Sequence, residues 1–202
     1  MISRLAGSGF ATAAREVAPR IIAAREEAER ARRTPPALAE ALADQGLYQM
    51  FLPRSAGGPE ASPLDAFEAI EELSRADGSV GWNAMIGTDI SLLTGWMTPE
   101  TVRGMCGAPA NFRAAGSLRP QGKAWPVPGG YRVSGRWNFA SGIGHAKWLY
   151  CTCFLMDGEQ PAKTEAGMPR VRAMWLPIEN ATIHDTWSTI GMRGTGSQDF
   201  SV

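Results

Sequence analysis

Ser141 is the side chain of this 202-residue sequence best placed to do chemistry. It stands in the run Trp137-Asn138-Phe139-Ala140-Ser141-Gly142-Ile143-Gly144-His145. A serine can attack an electrophile when a base takes its proton, or it can hold a polar ligand through one hydrogen bond. No GxSxG pattern surrounds Ser141 and no His/Asp partner lies in motif range, so the hydrogen bond is the stronger role. Trp137 offers an aromatic ring, and the Gly/Ser segment after it exposes backbone amides. A flat, polar ligand could stack and be held there. The same residues also describe a long hairpin connection with a core tryptophan. His145 fits a polar ligand contact and a solvated loop histidine equally well.

Other chemistry-bearing residues carry less. Cys151 and Cys153 fall on one face of a strand, but no second pair accompanies them and only His145 and His184 are available as imidazoles. No metal site is expected, and two core cysteines are the better reading. Gly191-Met192-Arg193-Gly194-Thr195-Gly196 lacks the GxGxxG spacing and no helix follows, which excludes a dinucleotide or P-loop site. Arg193 and Thr195 could still touch a cofactor. The segment Phe112-Arg113-Ala114-Ala115-Gly116-Ser117-Leu118 ends in small residues before Pro120-Gln121-Gly122-Lys123-Ala124, either to let backbone approach a ligand or merely to turn.

These residues must be positioned by two differently patterned halves. From Gly9 to Arg33, Phe10, Ala14, Val17, Ile21 and Ala24 recur at helical spacing, with Pro19 as a kink or break. The run Arg25 to Arg30 reads as a solvated helix face with an i,i+4 pair at Glu26 and Arg30. Thr34 can cap and Pro35 can open a helix whose buried stripe includes Leu38 and Leu42, and Gly46 stops it. Further helices start at Ser62-Pro63 and run from Val80 to about Trp96, with a short one after Thr98-Pro99. After Asn111 the runs shorten and Gly, Pro and Trp increase. Strands are expected at Phe112–Leu118, Gly130–Trp137, Lys147–Leu155, Val171–Leu176, Thr182–Trp187 and Gly194–Val202, with Asp157 to Met168 as a surface loop. The expected class is α+β: an α-helical domain over residues 1–110 and an antiparallel β-barrel or sandwich over 111–202. The last strand has no stop signal, so the β-domain is expected to be incomplete.

Composition narrows the partners. Lys+Arg and Asp+Glu are both 20, giving zero net charge, so neither nucleic acid nor an anionic membrane is an expected partner. No apolar run approaches the ~20 residues of a membrane span. Met1-Ile2-Ser3-Arg4 does not open a signal pattern, and three cysteines without a framework fit the cytoplasm.

Three stretches, "AAGSLRPQGKA", "GGYRVSGRWNFASGIGHAKW" and "WSTIGMRGTGSQD", follow a helical half containing "GLYQMFLPRSAGG" and "ELSRADGSVGWN". In this order they resemble the acyl-CoA dehydrogenase superfamily from about Ala37 to Val202. The dehydrogenase branch carries Trp-x-Thr-x-Gly where this chain has the longer Trp137-Asn138-Phe139-Ala140-Ser141-Gly142. That favours the flavin-dependent monooxygenase branch, the oxygenase components of two-component aromatic hydroxylases.

The resemblance implies an FMN or FAD cofactor, used in reduced form and supplied by a separate flavin reductase, an aromatic or polycyclic substrate, and a homo-oligomer. It implies that Trp137, Phe139, Ala140 and Ser141 border the isoalloxazine ring, with Ser141 hydrogen-bonding near N5 as the catalytic residue. It implies that Ala115, Gly116, Ser117, Gly122, Lys123 and Ala124 line the same cleft. The family's C-terminal helical domain, which carries its catalytic base, is not in the sequence, so an N-terminal fragment is expected, with Trp137 and Ser141 exposed on an apolar patch. The alternatives are an acyl-CoA dehydrogenase with bound FAD and a non-catalytic flavin-binding or interaction module.

Overall fold

The computed structural model describes residues 9–107 and 111–202. Met1-Ile2-Ser3-Arg4 and the expected boundary at residue 110 lie outside them. The helical half consists of α1 (Gly9–Ala23), α2 (Arg25–Ala31), α3 (Pro36–Asp44), α4 (Pro63–Ala76), α5 (Gly78–Leu92) and α6 (Pro99–Cys106). Phe10, Ala14, Val17 and Ile21 of α1 are buried against Leu42, Ala69 and Leu73, the stripe that the spacing predicts. Pro19 stays inside α1, and the chain breaks at Ala24 instead.

Several local readings change. Thr34 does not cap α3. It is buried, its hydroxyl accepting from Asn83 Nδ2 at 3.1 Å, so it serves the contact with α5. The pair at Glu26 and Arg30 is not among the ion pairs of the described residues; Glu29 instead meets Arg193 at 3.2 Å, tying α2 to the Gly191–Gly196 motif. Ser62 and Asp77 do cap: Ser62 accepts from the Asp65 amide, and Asp77 from those of Ser79 and Val80. Two donors on one carboxylate fix where α5 begins and hence where Trp82 points.

The β half holds β1 (Ala114–Val127), β2 (Gly130–Ser134), β3 (Arg136–Ala140), β4 (Trp148–Asp157), β5 (Gln160–Pro161), β6 (Val171–Pro177), β7 (Thr182–His184) and β8 (Gln198–Ser201). One sheet runs β2-β1-β4-β5 with β6 also on β4; the other runs β3-β8-β7. Past Asn111 the described residues contain no helix longer than a three-residue 3-10 turn. The purely antiparallel expectation is corrected at the centre, because β1 and β4 are parallel, Ala114 opposite Trp148 through Ser117 opposite Cys151. A register shift between Ser117 and Gly122 carries β1 past Pro120, so it is twice the expected length and continues into the hairpin with β2. The run 157–168 is not all loop: β5 pairs with β4 there.

Trp137 lies between the sheets. It is fully buried, stacks on Phe200 with ring centroids 5.1 Å apart, and donates its indole N–H to the Thr152 carbonyl at 2.9 Å. The expected exposed patch at Trp137 and Ser141 is therefore not found: Trp137 is 0% and Ser141 6% exposed. A core position with its one polar atom satisfied leaves Trp137 no reason to reach solvent. Cys151 and Cys153 are free and buried in the same core. Among the described residues no helix is long and apolar enough to cross a membrane.

The halves meet through specific bonds. The Phe112 amide donates to Gln49 Oε1 at 2.6 Å, Arg113 pairs with Glu40 at 2.6 Å, and Trp148 Nε1 donates to the Met105 carbonyl at 3.0 Å. α5 crosses this junction. It carries apolar residues on all sides, as a helix between two partners must.

Candidate functional site

Alternation along β3 would put Trp137 and Phe139 on one face. Phe139 escapes that rule because its φ is +62°, in the left-handed region, and the pairing with β8 shifts register between Trp137 and Ala140. This bulge turns the Phe139 ring outward, where it is 68% exposed, while Trp137 and Ala140 stay inside. Gln121 and Asn138 brace the bulge: Gln121 Nε2 donates to Asn138 Oδ1 at 2.5 Å, and Asn138 Nδ2 to Asp199 Oδ2 at 3.4 Å. A strained aromatic held out toward solvent by its neighbours points to ligand contact.

Phe139 divides two hollows. On one side a recess of about 280 Å³ is lined by Trp82, Phe139, Ser141, Trp187, Met192, Thr195 and Ser197. Phe139 and Trp187 meet edge to face there, centroids 6.3 Å apart. On the other side a largely apolar cleft of about 460 Å³ lies between Ile86, Asp89 and Ile90 of α5, Gly116 to Arg119 and Gln121 of β1, Asn138 and Phe139, and Tyr150 of β4. Asp89 has no ion-pair partner among the described residues, and burial raises its carboxyl above the usual range.

Ser141 sits in the recess within a chain of hydrogen bonds. Trp82 Nε1 donates to Ser141 Oγ at 2.9 Å; Ser141 Oγ lies 2.7 Å from Ser197 Oγ, and Ser197 Oγ 2.7 Å from Thr195 Oγ1. Thr195 Oγ1 donates to the Met192 carbonyl at 2.9 Å. The amides around Ser141 are not available to a ligand. The Ser141 N–H donates to the Phe139 carbonyl and the Gly142 N–H to that of Thr195, both at 2.9 Å. With the Ser141 and Gly142 amides taken, the side chains facing the recess are rings and hydroxyls together with Met192.

The structure thus sorts the expected residues. Phe139 and Ser141 line the recess, and Gly116, Ser117 and Phe139 the cleft. Trp137, Ala115, Ala124 and Ala140 are fully buried, and Lys123 is exposed away from both hollows. Gly122 serves packing: a Cβ there would lie 2.0 Å from the Trp137 ring. Gly116 does likewise, since its Cβ would lie 1.9 Å from the Tyr150 carbonyl oxygen. Trp82, Asp89, Trp187 and Ser197 are site-lining residues that motif reading passes over. Only the all-round apolarity of α5 signals that a second face of it is in use.

His145 lines neither hollow and is only partly open to solvent. Its ring stacks on Tyr48, centroids 4.6 Å apart, beside Gly142 and Asn83. Burial, reinforced by the Arg113 charge, pushes its pKa from 6.5 down to about 4. The unfolded chain therefore binds a proton that the folded chain refuses between these values. Stability is full above pH 6.5 and falls as the pH drops toward 4, by up to roughly 3 kcal/mol. Denaturant midpoints at about pH 7 and about pH 4.5 should differ in the native chain, and the difference should shrink in His145→Asn.

Residues 8–102 match the family model described as "Acyl-CoA dehydrogenase, N-terminal domain". The helical half followed by these two sheets is similar in order and fold to the acyl-CoA dehydrogenase superfamily. Within it, similarity runs to flavin-dependent monooxygenases. The chain is 37% identical over 165 residues to the indole-3-acetate monooxygenase of Acinetobacter baumannii, covering 81% of this chain and 40% of that one. It is 32% identical over 172 residues to the FADH(2)-dependent resorcinol hydroxylase, oxygenase component, of Rhizobium sp., covering 85% and 41%. The crystal structure of the HsaA monooxygenase from M. tuberculosis superposes with a TM-score of 0.85 at 28% identity, over 97% of this chain and 52% of that one. The chain spans about two fifths of the length of the curated relatives it matches.

Proposed function

We propose that this chain forms the flavin-holding part of a reduced-flavin-dependent monooxygenase that hydroxylates an aromatic or polycyclic substrate. The observation that carries this is Ser141 set in a recess walled by Trp82, Phe139 and Trp187, one ring away from an apolar cleft. The donor set fits a flavin. A tricyclic heteroaromatic ring needs flat apolar walls and a polar partner for its nitrogen edge, and this recess offers three aromatic side chains and the hydroxyl of Ser141 beside those of Ser197 and Thr195. Two named relatives are monooxygenases or hydroxylases of aromatic compounds, one of them FADH(2)-dependent.

Reduced FMN or FAD would supply the activation of dioxygen. The chain's own part is to place the ring, keep water from it and align the substrate. Phe139 and Trp187 would cover the ring, and Ser141 would fix its nitrogen edge. The 460 Å³ cleft would take the substrate, a size within the ~300–1,000 Å³ of small-molecule sites. Asp89 and Asn138 would meet a hydroxyl or N–H of that substrate. A separate reductase would deliver the reduced flavin. Cytoplasmic location and homo-oligomeric assembly belong to the same proposal.

Anaerobic equilibrium dialysis against reduced and oxidised FMN and FAD tests it. Retention of reduced flavin by a chain that purifies colourless is the expected result. A chain that purifies yellow with FAD would favour an acyl-CoA dehydrogenase, and a chain that binds flavin in neither state would favour an interaction module.

A further inference from the structure

The hydrogen bonds around Ser141 have only one consistent direction. A carbonyl cannot donate, so the single hydroxyl proton of Thr195 is committed to Met192. Thr195 Oγ1 must then accept from Ser197 across their 2.7 Å contact. The Ser197 proton is thereby used, so Ser197 must accept from Ser141. An indole N–H only donates, so Ser141 also accepts from Trp82. The proton order runs from Trp82 through Ser141, Ser197 and Thr195 to the Met192 carbonyl. That carbonyl also takes the Trp187 indole N–H at 3.1 Å and the Thr195 amide at 3.2 Å, and of its three donors the Thr195 hydroxyl is the nearest, at 2.9 Å. Ser197 and Thr195 are 3% and 2% exposed, so their hydroxyls bond chiefly to each other and to their protein neighbours.

Ser141 therefore shows the recess a lone pair and no proton. We infer that Ser197 and Thr195 are positioning residues that hold Ser141 as a hydrogen-bond acceptor, so that the recess selects a ring edge bearing N–H over a ring edge bearing a bare nitrogen. Resting on the flavin reading above, this means the reduced ring, with hydrogen on N5, over the oxidised ring, whose N5 is itself an acceptor. To donate to oxidised N5, Ser141 would need the order reversed, with Ser197 donating to Ser141 and Thr195 giving up Met192. One hydrogen bond would be lost.

The variants separate because each edits the order differently. In Ser197→Ala the Ser141 proton is freed and can turn either way. In Thr195→Val the Ser197 proton has only Ser141 to go to, which forces Ser141 to present its own proton to the recess. Thr195→Ser keeps the hydroxyl and the original order. Dissociation constants for reduced and oxidised FMN, measured without oxygen on chains with matched circular dichroism and melting, read this directly. The native chain and Thr195→Ser should prefer reduced FMN. Ser197→Ala should lose about three- to tenfold of that preference, the worth of one hydrogen bond, and Thr195→Val at least as much. A native preference that neither variant alters would overturn the role of Ser197 and Thr195 while leaving the flavin reading in place. Absence of binding by the native chain in both states would instead remove the flavin reading, and this inference with it.

Discussion

Trp137→Ala should lower the stability of the chain by about 3–5 kcal/mol, the cost of deleting a fully packed large aromatic side chain. Trp137 has no exposed surface, stacks on Phe200 and covers Gly122. Its removal also leaves the Thr152 carbonyl without the indole donor, adding about 1–3 kcal/mol if no water enters. Trp137→Phe should cost less, since a ring still fills part of the space. Urea unfolding followed by far-ultraviolet circular dichroism measures both. A loss under about 1 kcal/mol for the alanine variant would mean that the indole does not hold the two sheets together.

Two residues further along the same strand the expected effect is the opposite in kind. Phe139→Gly should leave stability within about 1 kcal/mol, because glycine relieves a left-handed conformation worth about 1–2 kcal/mol to an L-residue and gives back about half of that in unfolded-state entropy. The ring is mostly exposed, so little core packing is lost. Binding of reduced FMN should weaken by about 1–3 kcal/mol, the range for stacking a flat base on an aromatic side chain. Isothermal titration without oxygen gives the number. Unchanged affinity would assign the strain at Phe139 to the fold alone.

This pair shows what the sequence could and could not convey. The helical stripe of α1, the capping of α4 and the shift from helices to strands near Asn111 are periodicity and cap signals, and they are visible in the residues. The family resemblance was legible in three stretches that agree in order. Which of the two aromatics faces a hollow was not legible. Strict alternation groups Trp137 with Phe139, and only the positive φ at Phe139 separates them. Nor did motif spacing reveal that the amides beside Ser141 are consumed by Phe139 and Thr195, because those bonds join segments over 50 residues apart as well as neighbours. The parallel pairing of β1 with β4 was equally hidden, since strand patterning carries no direction.

The tryptophan indoles allow the central claim to be read residue by residue. All seven tryptophans carry an indole N–H. Trp82 and Trp187 border the recess, and their N–H groups bond to Ser141 and to the Met192 carbonyl. Trp137 is sealed in the core, Trp125 is bonded to the Gly158 carbonyl, and Trp96 and Trp175 line a different hollow beside Arg172. In a ¹⁵N-labelled chain, anaerobic addition of reduced FMN should move the indole signals of Trp82 and Trp187 and leave those of Trp137, Trp125, Trp96 and Trp175 in place. Movement confined to Trp96 and Trp175, or no movement at saturating flavin, would contradict a flavin site at Ser141.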